Sequence, residues 1–464
     1  MNKYKSLAKN TLIFAIGTFG SKILSFIMVF FYSRAMSTAE FGLLDIIINS
    51  ASLVIPIAFL GITNAVIRFG LDDEYKQSDV FTTGILSVGL GFGFLLLLSP
   101  FVLMIEDLKN YIIVFYLHIL MSALRHVCSF FVRSDNRPKL YAADGIFSTF
   151  MTCLLTIVFL IPLKMGIVGY MLAIIIADFL SVLFLIIGSR AYKKLNFGTL
   201  DKTVCKRMIS FSLPLMPTSL LWWVVNVSDR YFVKYMIGSA ENGLYAAAYK
   251  IPTILTLVSA IFLDAWQISA VSENKSTSKN EFYSDIFKSF QGGIFVVGSV
   301  LIFASKLVTK LLLADSYYDS WQYIPVLIFA TVFSCFVVFM GNIYLAAKRN
   351  IATLVTTIMG AAVNLILNGI FIYFFGVQGA AIATCVSYFA VYFARAIDIK
   401  RKEKDINFSS AFVFINSGVM LAQTVIMLIE VPYWYIWQTV CLILTVLINY
   451  KMLLDLAKKI LKKD

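Results

Sequence analysis

Apolar residues run through this chain in long unbroken stretches, separated by short polar segments. A run of about 20 apolar residues crosses the hydrocarbon core of a bilayer as a helix. Fourteen such runs can be marked, at 11–33, 43–65, 82–105, 111–132, 143–164, 166–189, 209–236, 243–270, 286–308, 322–346, 350–374, 377–398, 408–430 and 433–453. The runs are continuous rather than alternating, so the pattern predicts an all-α integral membrane protein and excludes a membrane barrel. The first run follows Lys3, Lys5 and Lys9 and is too long for a secretory hydrophobic region, which predicts an uncleaved signal-anchor.

The connections are short. The longest, 190–208, leaves no room for a soluble domain between spans. Membrane glycosyltransferases and glycan polymerases generally build their site on a sizeable outer loop, so this shortness weighs against that class.

Composition agrees with the pattern. Hydrophobic residues make up 60% of the chain and charged residues 14%, with a mean hydropathy of +0.84. Soluble domains carry about 25% charge and about 45–50% apolar residues, so a soluble enzyme and a disordered chain are both excluded. The six cysteines are scattered singly, which argues against a disulfide framework or a metal site. No cofactor is expected.

The net charge of +13 would suggest nucleic acid were it not sorted by topology. With the N-terminus in the cytoplasm, only Arg34, Lys109, Lys164 and Lys310 fall on outer connections and eight Lys+Arg fall inside spans. The remaining 27 of 39 lie on the cytoplasmic side. That asymmetry is the positive-inside rule, and it predicts both termini in the cytoplasm and no nucleic-acid partner. In the tail, Met452, Leu453, Leu456, Ile460 and Leu461 share a helical face opposite Lys458, Lys459, Lys462 and Lys463. This reads either as an interfacial helix over anionic membrane lipids or as an extension of the last span.

An internal repeat is visible. Ala39-Glu40-Phe41-Gly42-Leu43 returns as Ala240-Glu241-Asn242-Gly243-Leu244, and Gly166-Ile167-Val168-Gly169 as Gly376-Val377-Gln378-Gly379. Asn136-Arg137 and Lys348-Arg349 occupy matching connections between them. Each pair falls at equivalent places in spans 1–6 and 7–12, so the halves are parallel repeats. The expected architecture is two six-helix lobes, 1–208 and 209–405, around a central cavity, with 406–464 adding two helices and the tail. Locally, Ser37-x-x-Glu40 reads as a capping box, and the GxxG pairs as points of close helix approach.

Charges inside spans need water or a partner, because a lone one costs about 2.5–3.5 kcal/mol to insert. Lys288 and Arg395 lie near inner ends, Lys234 and Lys306 near outer ends, and all four are placed to snorkel. Lys22, Arg230 and Lys250 lie deeper, and Arg125 is intermediate. Two readings stay open: these cations line a wet chamber for an anionic substrate, or they close salt bridges with Asp229 or Asp178. A desolvated carboxylate favours its neutral form, so Asp178, Asp229 and Asp264 are candidates for ion coupling. Pro214, Pro217 and Pro252 fall inside spans seven and eight and are expected to bend them as hinges.

Tyr32-Ser33-Arg34 followed by Glu40-Phe41-Gly42, and Asp229-Arg230 followed by Gly238 and Gly243-Leu244-Tyr245, resemble the polysaccharide transporter family. This family belongs to the multidrug/oligosaccharidyl-lipid/polysaccharide flippase superfamily and contains the flippases for O-antigen and capsule repeat units. The resemblance implies alternating-access transfer of an undecaprenyl-diphosphate-linked oligosaccharide to the outer leaflet of a bacterial cytoplasmic membrane, beside glycan polymerase machinery. It also implies a headgroup-side role for Arg34 and for the Asp229-Arg230 pair. Related lipid II flippases have an arginine-dense first helix, whereas only Lys22 and Arg34 are present here, which weighs against lipid II as cargo. The alternative function is a cation-coupled, multidrug-type antiporter.

Overall fold

The computed structural model describes residues 24, 26–198, 200–273, 279–402, 406, 408 and 410–461, and its elements there are helices. Twelve of the described helices are long and apolar enough to cross a membrane, or up to thirteen with one bent pair. The chain is therefore an all-helical, multi-pass membrane protein. It divides into two compact units, Met1–Trp223 and Val224–Asp464.

The first unit contains α1 (Phe26–Ala35), α2 (Thr38–Ala58), α3 (Ile62–Gly70), α4 (Gln77–Leu97), α5 (Ile112–Ser134), α6 (Pro138–Leu160), α7 (Gly166–Ser189) and α8 (Lys202–Ser212). The expected capping box starts α2: the Ser37 N–H donates to the Glu40 carboxylate at 2.9 Å and the Glu40 N–H to Ser37 Oγ at 3.3 Å. The second expected span stops short of 65. Leu60 and Gly61 adopt left-handed φ values of 52° and 60°, so the chain turns and restarts as α3. Helix α5 is central to this unit, with Phe131 against Phe81 at 4.4 Å and Val127 fully buried.

Helix α9 (Met216–Met236) crosses the division between the units. The second unit continues with α10 (Ser239–Ala248), α11 (Pro252–Glu273), α12 (Lys279–Leu312), α13 (Ile324–Ala346), α14 (Asn350–Phe375), α15 (Val377–Lys402), α16 (Ser410–Ile429) and α17 (Trp434–Leu461). Helix α13 is its buried axis. Trp266 of α11 stacks on Phe339 of α13 at 4.3 Å and donates its indole N–H to the Phe339 carbonyl. Polar side chains fasten α16 and α17: Ser299 donates to Gln423, Gln438 donates to the Gln423 carbonyl, and Asn416 and Asn449 exchange hydrogen bonds. Helix α17 continues unbroken to Leu461, as an extension of the last span. The tail's side chains beyond Met452, and residues 462–464, lie outside the described residues.

The three expected hinge prolines sit at local irregularities of their helices. Pro214 lies in a 3-10 turn between α8 and α9, and Pro217 sits in the first turn of α9. Both lie inside one apolar span that runs from Lys202 to Met236. Pro252 opens α11, and the α10–α11 pair is bent by 40° at the break before it.

The repeat has a backbone counterpart. Asn136 and Lys348 both take left-handed φ, 54° and 58°, and each is followed by an arginine that starts the next helix. Gly166 and Gly376 do likewise, at 53° and 59°. Helices α5 and α13 each have 23 residues and begin at Ile112 and Ile324, in the same register as the Asn136/Lys348 pair.

Candidate functional site

Each unit contains a polar cluster inside its spans. In the first unit, α5 carries His118, Ser122 and Arg125 along one face at intervals of three to four residues. Arg125 reaches both neighbouring helices. Its Nη2 lies 3.5 Å from Asp144 of α6, its Nη1 3.4 Å from Asp178 of α7, and its Nε donates to Ser181 Oγ at 2.9 Å. Each carboxylate also accepts from a serine: Asp178 from Ser122 at 2.6 Å, and Asp144 from Ser181. Asp144 is 1% exposed and Asp178 5%.

In the second unit the centre is Asp229 of α9, which is fully buried. Tyr245 and Tyr249 donate their hydroxyls to it at 2.8 and 2.7 Å, and Thr384 donates at 3.4 Å. Asn364 extends the network, accepting from Ser228 and Asn368 and donating to Thr384 at 3.3 Å. The Arg230 guanidinium lies over the Tyr249 ring at 4.8 Å, next in sequence to half-buried Lys250. Three hydroxyls and the Arg230 backbone N–H, at 2.9 Å, thus hold Asp229, with no described cation in ion-pair contact, while the described ion-pair partner of Asp178 is Arg125.

Lys22 lies outside the described residues. Arg34 is exposed near the end of α1, with its guanidinium 3.5 Å over the Phe30 ring and a hydrogen bond to the Phe30 carbonyl. Asp264 is exposed on α11, and no described contact joins it to either cluster.

Arg395 does not snorkel. It is 1% exposed, donates to Thr356 Oγ1 at 3.0 Å and to the Val337 carbonyl at 2.7 Å, and has no carboxylate in ion-pair contact among the described residues. Gly341 leaves the space its guanidinium occupies, since a Cβ there would lie 3.0 Å from Nη1. Lys306 pairs with Glu430 and lies over the Trp321 and Trp434 rings.

Sequence reasoning missed Asp144, Asn364 and Thr384. Asp144 sat one residue inside the expected start of span five and looked like an interfacial boundary residue. Because α6 begins at Pro138, it lies about 9 Å into the helix. The i, i+4 pair Asn364 and Asn368, in an otherwise apolar run, was a readable signal.

The sequence profile of polysaccharide biosynthesis proteins matches residues 7–267, more than half of the chain. The chain belongs to that family. Solved structures carry the likeness further. A structure of lipid II flippase MurJ, in an inward closed conformation, superposes with a TM-score of 0.73 at 16% identity, covering 95% of this chain and 98% of that one. An inward-facing multidrug resistance MATE family transporter of the MOP superfamily gives 0.67 at 12% identity, covering 86% and 99%. A MOP superfamily transporter from Pyrococcus furiosus gives 0.59 at 13% identity, covering 85% and 96%. No curated protein sequence is a significant match. The expected all-helical membrane fold is borne out, with its likeness to MurJ and MATE structures.

Proposed function

We propose that this protein is a flippase that moves a polyprenyl-diphosphate-linked oligosaccharide from the cytoplasmic to the outer leaflet of a bacterial inner membrane. The observation that carries the reading is membership of a polysaccharide biosynthesis family by a chain with a MurJ/MATE-like fold. The physical task fits such a chain. A diphosphate and a glycan are polar and do not cross hydrocarbon unaided, whereas the polyprenyl tail stays in lipid throughout. Basic side chains on a wetted path lower the barrier for the headgroup, and Lys22, Arg34, Arg230 and Lys250 take that role in this reading. Anionic lipids lie against the basic cytoplasmic connections, and the glycan polymerase machinery receives the product. No catalytic step is required.

Deletion tests the reading. Lipid-linked repeat units accumulate on the cytoplasmic leaflet and surface glycan is lost, both restored by the wild-type chain. A Lys22→Glu protein at normal abundance leaves both defects in place. Deletion that leaves lipid-linked glycan unchanged but raises sensitivity to small cationic compounds would assign the protein to the antiporter class.

A further inference from the structure

We infer that Asp144 and Asp178, sharing Arg125, form a proton-binding site in the first unit, and, resting on the transport reading above, that this site couples transport to the proton gradient. The argument begins with charge counting. One guanidinium faces two carboxylates, so the cluster carries one excess negative charge unless one carboxylate takes a proton. Both acids are almost wholly buried among apolar helices, where an uncompensated charge is poorly tolerated. Binding one proton makes the cluster neutral. The O–H formed belongs to the pair rather than to one acid, because either carboxylate satisfies the same balance.

The geometry suits a shared proton. The two Arg125 contacts, at 3.4 and 3.5 Å, are long for charge-assisted bonds, which run at about 2.7–2.9 Å. The guanidinium is thus poised between two acceptors rather than committed to one. A serine hydroxyl on each carboxylate can turn from donor to acceptor when that carboxylate gains a proton. The cluster has an open side, since the Arg125 side chain is 26% exposed.

The second unit argues that the excess charge is not architectural. In the register set by Asn136 and Lys348, Asp144 corresponds to Thr356 and Arg125 to Val337. Those are the residues that hold Arg395. The equivalent seam there seats a buried guanidinium with no described carboxylate in ion-pair contact, so two acids are not needed to keep an arginine in place.

Other titratable groups face the site. From α5, His118 Nδ1 lies 3.3 Å from Ser122 Oγ and feels Asp178; His126 feels Arg125 and Asp178, and Cys128 feels Asp144. From α2, which packs on α5 and α7, Asp45 is felt at Tyr170, about two turns along α7 from Asp178. Infrared difference spectroscopy of the purified protein, without cargo, between about pH 5 and about pH 9 reads the carboxylic acid directly. The wild type shows a carboxylic C=O band at the acid end that is lost at the alkaline end. Asp144→Asn and Asp178→Asn each leave a balanced Arg–Asp pair, so each loses that band while remaining folded. His118→Asn keeps it. Arg125→Gln leaves two acids without a cation and shifts loss of the band to higher pH.

With the second unit's buried Asp229 replaced by Asn throughout, so that its own carboxyl gives no band, a band retained in both Asn variants, or no band at all, overturns the site. A normal band with glycan export unaffected by either Asn variant overturns the coupling. The spectroscopic readout from the purified protein does not depend on cargo, so the proton site stands or falls separately from the deletion experiment.

Discussion

Two buried residues show how the second unit handles charge. Asp229 accepts hydrogen bonds from Tyr245, Tyr249 and Thr384, and nothing else described sits within ion-pair reach. Asp229→Ala leaves three hydroxyls short of an acceptor and is expected to cost about 3 kcal/mol or more, whereas Asp229→Asn keeps one acceptor and costs about half as much. Thermal unfolding of the detergent-solubilised protein measures both, and an alanine variant that melts with the wild type would mean the hydroxyls find other partners. Arg395 makes the opposite case. Removing its guanidinium orphans nothing, because Thr356 Oγ1 also donates to the Ala352 and Thr353 carbonyls and Val337 lies within α13. Arg395→Met fills the same space without a buried cation and is expected to leave Tm unchanged or raised. Arg395→Ala opens a cavity and lowers stability by about 2–5 kcal/mol. Loss of stability in the methionine variant would show that the guanidinium is held for the fold.

At the scale of the helices, the GxxG pairs behave as the sequence suggests, and unequally. A methyl on Gly379 would sit 2.0 Å from the Phe371 carbonyl oxygen and 2.7 Å from the Ile372 nitrogen, so α14 and α15 would have to separate. On Gly169 it would meet Met165 Cβ at 2.6 Å and Phe159 at 3.2 Å or more, mostly side-chain atoms. Gly379→Ala is therefore expected to destabilise by about 3 kcal/mol and Gly169→Ala by about 1 kcal/mol, read as melting temperatures. The reverse order would show that backbone approach is not what limits these hairpins. The all-helical, multi-pass character was legible because continuous apolar runs allow no other solution in lipid, and Asn136 and Lys348 marked matching turns. Helix interruptions were less legible. The turn at Leu60–Gly61 lies in a wholly apolar stretch, and Pro214 and Pro217 fall at a 3-10 turn inside a span that runs on to Met236. Side-chain direction was not legible: sequence depth alone placed Arg395 within reach of the surface, and helix rotation turned it inward.

For the whole molecule, sidedness is the property on which the direction of transport rests, and it follows from charge rather than from packing. The densest basic connection holds Arg190, Lys193, Lys194, Lys202, Lys206 and Arg207, and it also holds Cys205, half-buried on α8. The other five cysteines lie in membrane-spanning helices. This gives a native reporter for the face that the positive-inside rule assigns to the cytoplasm. Local structure keeps it presented: Asp201 caps α8 by accepting from the Thr203 N–H at 2.7 Å, and that bond holds the Asp201 carboxyl below its usual range. The cap's contribution is complete above the ordinary carboxylate range and is lost only as pH falls through the lowered value, so α8 stays formed at neutral labelling pH. Arg207, ion-paired with Glu74 and hydrogen-bonded to Tyr75, ties the same helix to the α3–α4 connection. A membrane-impermeant maleimide is therefore expected to leave intact cells unlabelled and to label inside-out vesicles, with Cys205→Ser abolishing the signal. Labelling of intact cells at Cys205 would place this basic connection outside, reverse the positive-inside assignment, and with it the leaflet from which a lipid-linked glycan enters.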